Sequence, residues 1–409
     1  MNPKRSVDSV GLSLVILVLL TMCAITAWAS TEKVLHNFGA AGDGANPSAG
    51  MSFDAQGNLY GTTVNGGAGL GVIYQLVPNQ DGSWTENVLH EFSGQEGGYD
   101  PNPVIFDRRG SLYGGSPCGP PDCSFYGGGT VFQLMPGSNG SWAFRVIYGF
   151  TGPGENPSGL GFDNAGHLYG TTVEGGSSRD GIVFLLGQVS VSGWYAIVAH
   201  NFLGPPNDGD LPGGALAFDS SGNIYGVTGE GGSHDVGIVY KLTPNHNRFG
   251  WTETILYEFT GGSDGKFPNG VVLDAAGNLY GTTEEGGADG LGTVFELTPN
   301  QNGTWTENVL HSFAGGSDGA TPLSWPTLDA AGNLDGTTNQ GGPSNAGTVY
   351  KVTQSQGQWQ ESILYSFTGG ADGGNPYSSV VLDSAGNIYG TAYHGGAYNN
   401  GGVAFEISR

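Results

Sequence analysis

The feature that most constrains this chain is a short phrase that recurs seven times at nearly constant spacing. The phrase reads Gly-Asn-Leu-Tyr-Gly or a close variant, as at 57–61 and 277–281. Its fourth position falls at Tyr60, Tyr113, Tyr169, Tyr225, Tyr280, Asp335 and Tyr389, which are 53 to 56 residues apart. A period of this kind indicates one structural unit per repeat.

Each repeat predicts four short β-strands, because runs of β-branched and aromatic residues alternate with Gly, Asn, Asp and Pro turn signals. In the fifth repeat the strands, lettered a to d, are expected at Val271–Leu273, Leu279–Thr283, Thr293–Leu297 and Trp305–Phe313. Helical periodicity is absent from the repeats. The unit is therefore a four-stranded antiparallel blade.

The two ends of the repeat region predict how the blades are arranged. The region opens with a lone strand d, Val34–Phe38, and finishes with a lone strand c, Val403–Ile407. Strand d also ends in phenylalanine in the other repeats, at Phe92, Phe150, Phe202, Phe259, Phe313 and Phe367. The sequence therefore predicts an all-β, seven-bladed β-propeller, closed by the N-terminal strand completing the last blade. A β-helix or open solenoid is the alternative, but it favours shorter repeats and needs no complementary partial units.

The first residues predict export. Lys4 and Arg5 precede an apolar run at 10–23, and Ala27-Trp28-Ala29 offers small residues for cleavage. This pattern is typical of a signal peptide over residues 1–29, with the propeller over 30–409. A membrane anchor would need a longer apolar run, and lipid attachment at Cys23 would follow an unusually large Met22. We expect a secreted, periplasmic or extracellular protein, without a membrane span in the mature chain.

The charge of the mature chain limits its partners. Removing 1–29 leaves 10 basic and 35 acidic residues, a net charge of −25. Nucleic acid is excluded as an expected partner, because its recognition needs basic surface. Two cysteines survive, Cys118 and Cys123, and an oxidising compartment favours a disulfide between them.

The phrases Gly277–Thr283, Gly286-Gly287 and Gly292–Leu297 resemble the bacterial GloVer tandem repeat, and the resemblance covers the whole chain beyond the signal. Proteins described as choice-of-anchor tandem repeat GloVer-containing are exported repeat proteins, some with a C-terminal surface anchor. The resemblance implies export and carries no activity. Here Arg409 follows the last strand directly, without a sorting signal, which favours free secretion.

Most residues that suggest catalysis have a structural explanation. An Asp precedes the a-to-b turn of every repeat, where it is expected to accept turn amides, at Asp54, Asp107, Asp163, Asp219, Asp274, Asp329 and Asp383. His36, His90, His200 and His311 occupy a strand-d position that holds Tyr elsewhere, which indicates packing. A propeller for acidic sugars would need clustered arginines and is disfavoured, because the mature chain has only Arg108, Arg109, Arg145, Arg179, Arg248 and Arg409.

The face that carries the b-to-c loops and d-to-a crossovers, here called the loop-rich face, is the predicted functional surface. It combines variable loops, exposed backbone and carboxylates. The expected ligand-binding residues are Asp208, Glu230, Asp264, Glu284, Asp318, Asp372 and His394. Their carboxylates are typical ligands of sugar hydroxyls or of calcium, although no cofactor is required.

The function expected from these features is a non-enzymatic scaffold, a monomer that binds an extracellular glycan or protein. No catalytic residue is assigned. A carbohydrate-active enzyme, a glycoside hydrolase or lyase using carboxylates on the loop-rich face, is the alternative. Acids that break the repeat and converge on the central channel would distinguish it, and Asp335 is the one clear acidic break in a strand.

Overall fold

The computed structural model describes residues 30–93, 98–117, 128–151, 155–190, 193–245 and 250–408. These residues form seven four-stranded antiparallel sheets, the blades of an all-β propeller, as the repeat predicts. The predicted signal peptide at 1–29 and the predicted disulfide between Cys118 and Cys123 lie outside the described residues and stay predictions. Within the described ranges, no helix has the length and apolar character of a membrane span.

Blades 1 to 4 each take their strands from one continuous stretch of chain. In the order a, b, c, d, the strands are Ser52–Phe53, Leu59–Thr63, Val72–Pro78 and Trp84–Glu91 in blade 1; Ile105–Phe106, Leu112–Ser116, Thr130–Pro136 and Trp142–Gly149 in blade 2; Pro157–Phe162, Leu168–Thr172, Ile182–Gln188 and Trp194–Asn201 in blade 3; and Gly209–Phe218, Ile224–Gly231, Ile238–Pro244 and Trp251–Glu258 in blade 4.

Blades 5 and 6 follow the same pattern, and blade 7 joins the two ends of the chain. The strands are Lys266–Leu273, Leu279–Glu285, Thr293–Pro299 and Trp305–Ser312 in blade 5; Thr327–Leu328, Leu334–Thr338, Thr348–Ser355 and Gln358–Ser366 in blade 6; and Val381–Leu382, Ile388–Ala392, Val403–Ser408 and Thr31–Asn37 in blade 7. A small ribbon of Gly44–Ala45 and Asn65–Gly66 lies on the loop-rich face of blade 1.

The ring closes as predicted. Thr31–Asn37 pairs antiparallel with Val403–Ser408, from Thr31 opposite Ser408 to Asn37 opposite Val403. The amide of Phe38 continues the ladder to the Gly402 carbonyl at 3.0 Å. The fully buried Phe38 ring then packs against Tyr74 of blade 1, 4.9 Å between centroids. The first strand therefore completes one blade and seals its boundary with the next.

Packing inside each blade explains the second glycine of the repeated phrase. In blade 5, a Cβ on Gly281 would lie 2.4 Å from Cζ of Phe295 and 2.6 Å from the Gly270 carbonyl oxygen. The equivalent glycines in the other blades are covered in the same way by the buried aromatic ring of strand c. Only glycine leaves room for that ring, so the phrase and the strand-c aromatic residue form one packing unit.

Packing between blades explains the repeated tyrosine. Tyr60 contacts Phe106 and Trp142 of the next blade, with ring centroids 5.0 and 5.7 Å apart. A tyrosine and a strand-d tryptophan meet in the same way at five further boundaries: Tyr113 with Trp194, Tyr169 with Trp251, Tyr225 with Trp305, Tyr280 with Trp359, and Tyr389 with Trp84. Aromatic pairs of this geometry hold adjacent blades together.

The boundary between blades 6 and 7 is the exception, and it explains Asp335. The first strand carries Ser30 where the other d strands carry tryptophan, so an aromatic partner is missing. Asp335 replaces tyrosine there, is fully buried, and lies 3.2 Å from the Lys351 ammonium group. Lys351 also pairs with Asp329 at 2.6 Å. A buried ion network thus takes the place of the aromatic contact.

Removing residues 30–40 from the mature chain should destabilise the whole propeller. Blade 7 would lose strand d and expose the unpaired edge of Val403–Ser408. We expect a loss of several kcal/mol, a large share of a domain's typical stability of about 5–15 kcal/mol. Thermal unfolding monitored by circular dichroism tests this against a chain that begins at Ser30. Equal melting temperatures would mean that the strand does not close the ring.

The substitution Gly281→Ala should destabilise the protein by about 1–3 kcal/mol, the usual cost of overpacking a close-packed interior. Gly149→Ala is the matched control, because a Cβ at Gly149 meets nothing within 4 Å and its φ is not positive. Chemical denaturation of both variants gives the comparison. A Gly281→Ala protein as stable as Gly149→Ala would show that the ring of Phe295 has room to move.

Candidate functional site

The Asp before each a-to-b turn has the structural role that the sequence predicts. In blade 5 the Asp274 carboxylate accepts the amides of Ala276 and Asn278, both at 2.8 Å. Tyr280 donates its hydroxyl to the same carboxylate at 3.3 Å. The six other turns repeat the two amide bonds. These carboxylates shape turns.

On the loop-rich face, five blade boundaries carry one recurring set of three side chains, here called the boundary triad. A His or Tyr near the end of strand d meets an Asp of the following d-to-a crossover, and a Glu from strand d of the next blade lies beside that Asp. The triads are His36, Asp43 and Glu86; His200, Asp208 and Glu253; Tyr257, Asp264 and Glu307; His311, Asp318 and Glu361; and Tyr365, Asp372 and Glu32.

A β-bulge positions the first member of each triad. In every pair of strands c and d, strand d contains one extra residue. In blade 7, Val34 faces Phe405 and His36 faces Ala404, so Leu35 is the extra residue. Such bulges turn a strand and re-aim its side chains. His36 Nε2 then lies 2.9 Å from the Asp43 carboxylate, whose other oxygen accepts the Gly44 amide at 2.6 Å. The crossover is thereby fastened to the strand that precedes it.

Burial and the neighbouring Asp raise the pKa of the five triad glutamates, to about 7 for Glu32, Glu253 and Glu307 and to about 8 for Glu86 and Glu361. His200 lowers the pKa of Glu253 in part. In each glutamate, Oε1 is buried without a hydrogen-bond partner in the described structure. The glutamates of the His-containing triads also lie within hydrogen-bonding reach of their Asp. A protonated Glu that shares its proton with Asp fits this geometry.

The His-containing triads also hold a donor set that suits a divalent metal. Their three ligand atoms lie within 4.8 Å of one another in each case, at His36, Asp43 and Glu86; His200, Asp208 and Glu253; and His311, Asp318 and Glu361. Two equivalent boundaries carry the same arrangement with Tyr257 or Tyr365, whose hydroxyls donate to Asp instead. Since both versions close the boundary, the shared role is to connect adjacent blades.

The seven residues expected to bind a ligand therefore separate in the structure. Four of them, Asp208, Asp264, Asp318 and Asp372, belong to four different boundary triads. Glu230 faces Asp210 across strands a and b of blade 4. Glu284 adjoins Glu285, which pairs with Lys266 at 2.7 Å. His394 lies in blade 7, with Nδ1 2.8 Å from the Asn400 amide nitrogen. The structure places them around the rim rather than in one pocket.

A pocket of about 320 Å³ lies instead in the central channel. Segments from six blades line it, most of them four to six residues before the Asp of the a-to-b turn. Several of these positions are glycine, which lets the backbones of adjacent blades approach each other closely. A Cβ on Gly214, whose φ is +68°, would lie 1.9 Å from the Asn269 carbonyl oxygen of the next blade. Sequence reasoning missed this pocket, because small residues before strand a carry no distinctive signal.

The described wall of the pocket carries two aromatic residues and no charged side chain. Its described lining residues include Trp325, Tyr377, Asn102 and Ser324, with no Asp, Glu, His, Lys or Arg among them. Ser324 is 3% exposed, and its Oγ has no hydrogen-bond partner in the described structure. Tyr377 is 40% exposed and contacts the ring of Tyr393, the first residue after strand b of blade 7. This wall of the pocket therefore faces the loop-rich side.

The fold and this pocket define a closed seven-bladed β-propeller whose central cavity is lined by uncharged residues in the described part of the chain. The chain belongs to the Gloeobacter/Verrucomicrobia repeat family, which it matches over residues 21–188 and 186–405. This confirms the resemblance to the GloVer repeat. No curated protein matches the sequence.

Solved structures are similar to this chain at low sequence identity. The extracellular domain assigned to a hybrid two-component system of B. thetaiotaomicron is 16% identical, with a TM-score of 0.57 over 93% of this chain and 42% of that one. A second structure of that extracellular domain is 15% identical, with a TM-score of 0.55 over 92% and 42%. This chain thus spans less than half the length of these structures. A gluconolactonase of Xanthomonas campestris is 16% identical, with a TM-score of 0.45 over 82% and 90%.

The boundary triads predict that the protein is more stable in mild acid than in mild base. A glutamate whose pKa is higher in the folded state binds its proton more tightly there. Its contribution to the free energy of unfolding is therefore complete below about pH 4.5 and is lost as the pH rises through 7 to 8. Melting temperatures measured from pH 5 to 9 should fall, most steeply between about pH 5 and 7, and should level off above about pH 8.

The variant Glu86→Gln with Glu361→Gln should flatten that profile, because an amide does not ionise. Asp329 does not interfere: hydrogen bonds from Lys351 and Asn333 outweigh burial and lower its pKa to about 2, so it titrates well below this window. A melting temperature that rises from pH 6 to 9 in the parent would contradict the assignment.

Proposed function

We propose that this protein is an exported, non-enzymatic propeller that binds a neutral glycan in its central channel. The observation that carries the proposal is the lining of the channel pocket. Trp325 and Tyr377 offer ring faces, while Ser324 and Asn102 offer hydroxyl and amide groups. Ligand pockets commonly combine apolar walls with a few polar groups that fix orientation. A sugar ring presents both an apolar face and hydroxyls to such a wall.

The unpartnered Ser324 hydroxyl strengthens the case. A buried polar atom without a partner is costly, at about 1–3 kcal/mol, and such atoms in native proteins call for an explanation. A ligand hydroxyl in the pocket would satisfy Ser324 Oγ.

Binding is favoured over catalysis by the same lining. General acid–base chemistry needs titratable groups within hydrogen-bond reach of the reacting atoms. The described lining of the pocket contains no carboxylate or histidine, while the carboxylates at Asp208, Asp264, Asp318 and Asp372 engage neighbouring groups at separate boundaries. Export is supported by the family resemblance and by likeness to extracellular domains.

The test is binding of a panel of neutral oligosaccharides to the mature chain, measured on an array and confirmed by calorimetry. Tyr377→Ala and Trp325→Ala should each weaken binding about tenfold or more, since stacked aromatic rings dominate such contacts. Tyr195→Ala is the matched control, because Tyr195 is equally exposed, at 42%, but lies on an outer strand. Binding that survives Trp325→Ala but is lost when Asp264, Glu284, Asp318 and Asp372 become amides would place the site on the rim instead.

A further inference from the structure

The face opposite the loop-rich face, formed by the a-to-b and c-to-d turns, departs from the repeat at one place. The two variable positions of the a-to-b turn hold Ala, Gln, Asn or Ser in six blades, but Arg108 and Arg109 in blade 2. Blade 3 carries His167 where most blades carry Asn. The equivalent positions of the other blades serve as the comparison. Against them, these substitutions mark a local specialisation of blades 2 and 3.

The structure brings those departures into one groove. A groove of about 440 Å³ lies between the turns of blades 2 and 3, with Arg108, Arg109 and His167 along it and Phe106, Phe162 and Trp194 among its walls. It continues into a second depression, which Arg109 shares with Arg145. Three of the ten basic residues in 30–409 therefore gather here, although Arg145 is distant from Arg108 and Arg109 in the sequence and the chain is strongly acidic.

The arginines are placed to meet a ligand. The side chain of Arg145 is fixed in place, because its Nε and Nη2 donate to Gln133 Oε1 at 2.9 and 2.6 Å. Arg108 Nη2 donates to the Asn164 carbonyl at 2.5 Å, which fixes it across the boundary. Arg109 is exposed, and in the described structure its guanidinium group has no hydrogen-bond or ion-pair partner.

Two acidic residues, Asp107 and Asp163, also line the groove and offset part of this positive charge, but their oxygens are engaged by neighbouring groups rather than by the arginine side chains. Asp107 accepts the amides of Arg109 and Ser111 and the hydroxyl of Tyr113. Asp163 accepts two turn amides and lies 2.8 Å from His167 Nδ1. Both carboxylates are thus occupied by the turns that they shape.

We propose that this groove binds a small organic carboxylate, with Arg109 and Arg108 holding the carboxylate group and the aromatic wall holding its ring. A guanidinium group presents parallel N–H donors that match a carboxylate. Phe162 and Trp194 supply the apolar surface that an inorganic anion would not use. This site is independent of the channel pocket, since it lies at the turns of one blade boundary.

The test uses the mature chain and three probes: trigalacturonate, benzoate and sulfate, with neutral trigalactose as the blank. Calorimetry should detect binding of at least one of the two carboxylates. Tighter binding of trigalacturonate identifies the ligand as a sugar acid, and tighter binding of benzoate identifies it as an aromatic acid. Arg108→Ser with Arg109→Ser, which installs the turn residues of blade 4, should weaken binding about tenfold or more, as expected for a lost charged hydrogen bond. Arg179→Asn, on the loop-rich face, should leave the affinity unchanged.

A second pair of variants tests the aromatic wall. Trp194→Leu and Trp251→Leu each remove a tryptophan that contacts the tyrosine of the preceding blade, so they should lose similar stability. Only Trp194→Leu should weaken carboxylate binding. The proposal is overturned if neither carboxylate binds, if sulfate binds as tightly as the carboxylates, or if Arg179→Asn weakens binding as much as the double variant. Failure here leaves the glycan test at Trp325 and Tyr377 unaffected.

Discussion

Contact between adjacent blades is the constraint on which the rest of this structure depends. A single four-stranded sheet leaves both faces exposed, so each blade is stable only when two neighbours cover it. The repeated tyrosine and the strand-d tryptophan meet this need at six boundaries. At the seventh, Ser30, just before the closing strand, stands at the tryptophan position, and Asp335 with Lys351 replaces the aromatic pair. The acidic break in the repeat at Asp335 is therefore explained by the closure of the ring.

The fold could be predicted from the sequence because its determinants are local and repeated. The phrase around Gly281, the turn at Asp274 and the terminal strands at Val34 and Val403 each act within a few residues or recur at a fixed period. The hydrogen bonds of Asp274 reach only two and four residues along the chain, so a pattern of Asp and Gly was enough to find them.

The sites could not be predicted in the same way, because they join residues that are distant in sequence. A boundary triad links His36 and Asp43 to Glu86 in the next blade, and His36 alone looked like a packing residue. A sequence signal could have revealed the boundary triad. It consists of a histidine or tyrosine, an Asp seven or eight residues later, and a Glu in the next repeat. Arg145 is likewise distant from Arg109 in the sequence. Its place on strand d, opposite Gln133 of strand c, brings it to the same depression as Arg109.

The register of the closing blade has a consequence for attachment. Thr31 and Ser408 are directly opposed, and strands c and d of blade 7 meet there on the side of the c-to-d turns. Any segment that joins the propeller at either of these residues leaves from the same edge of the same face. Tethered through that edge to a cell surface or another domain, the molecule would stand with its loop-rich face and the Tyr377 wall pointing outward, while the arginine groove would face the support.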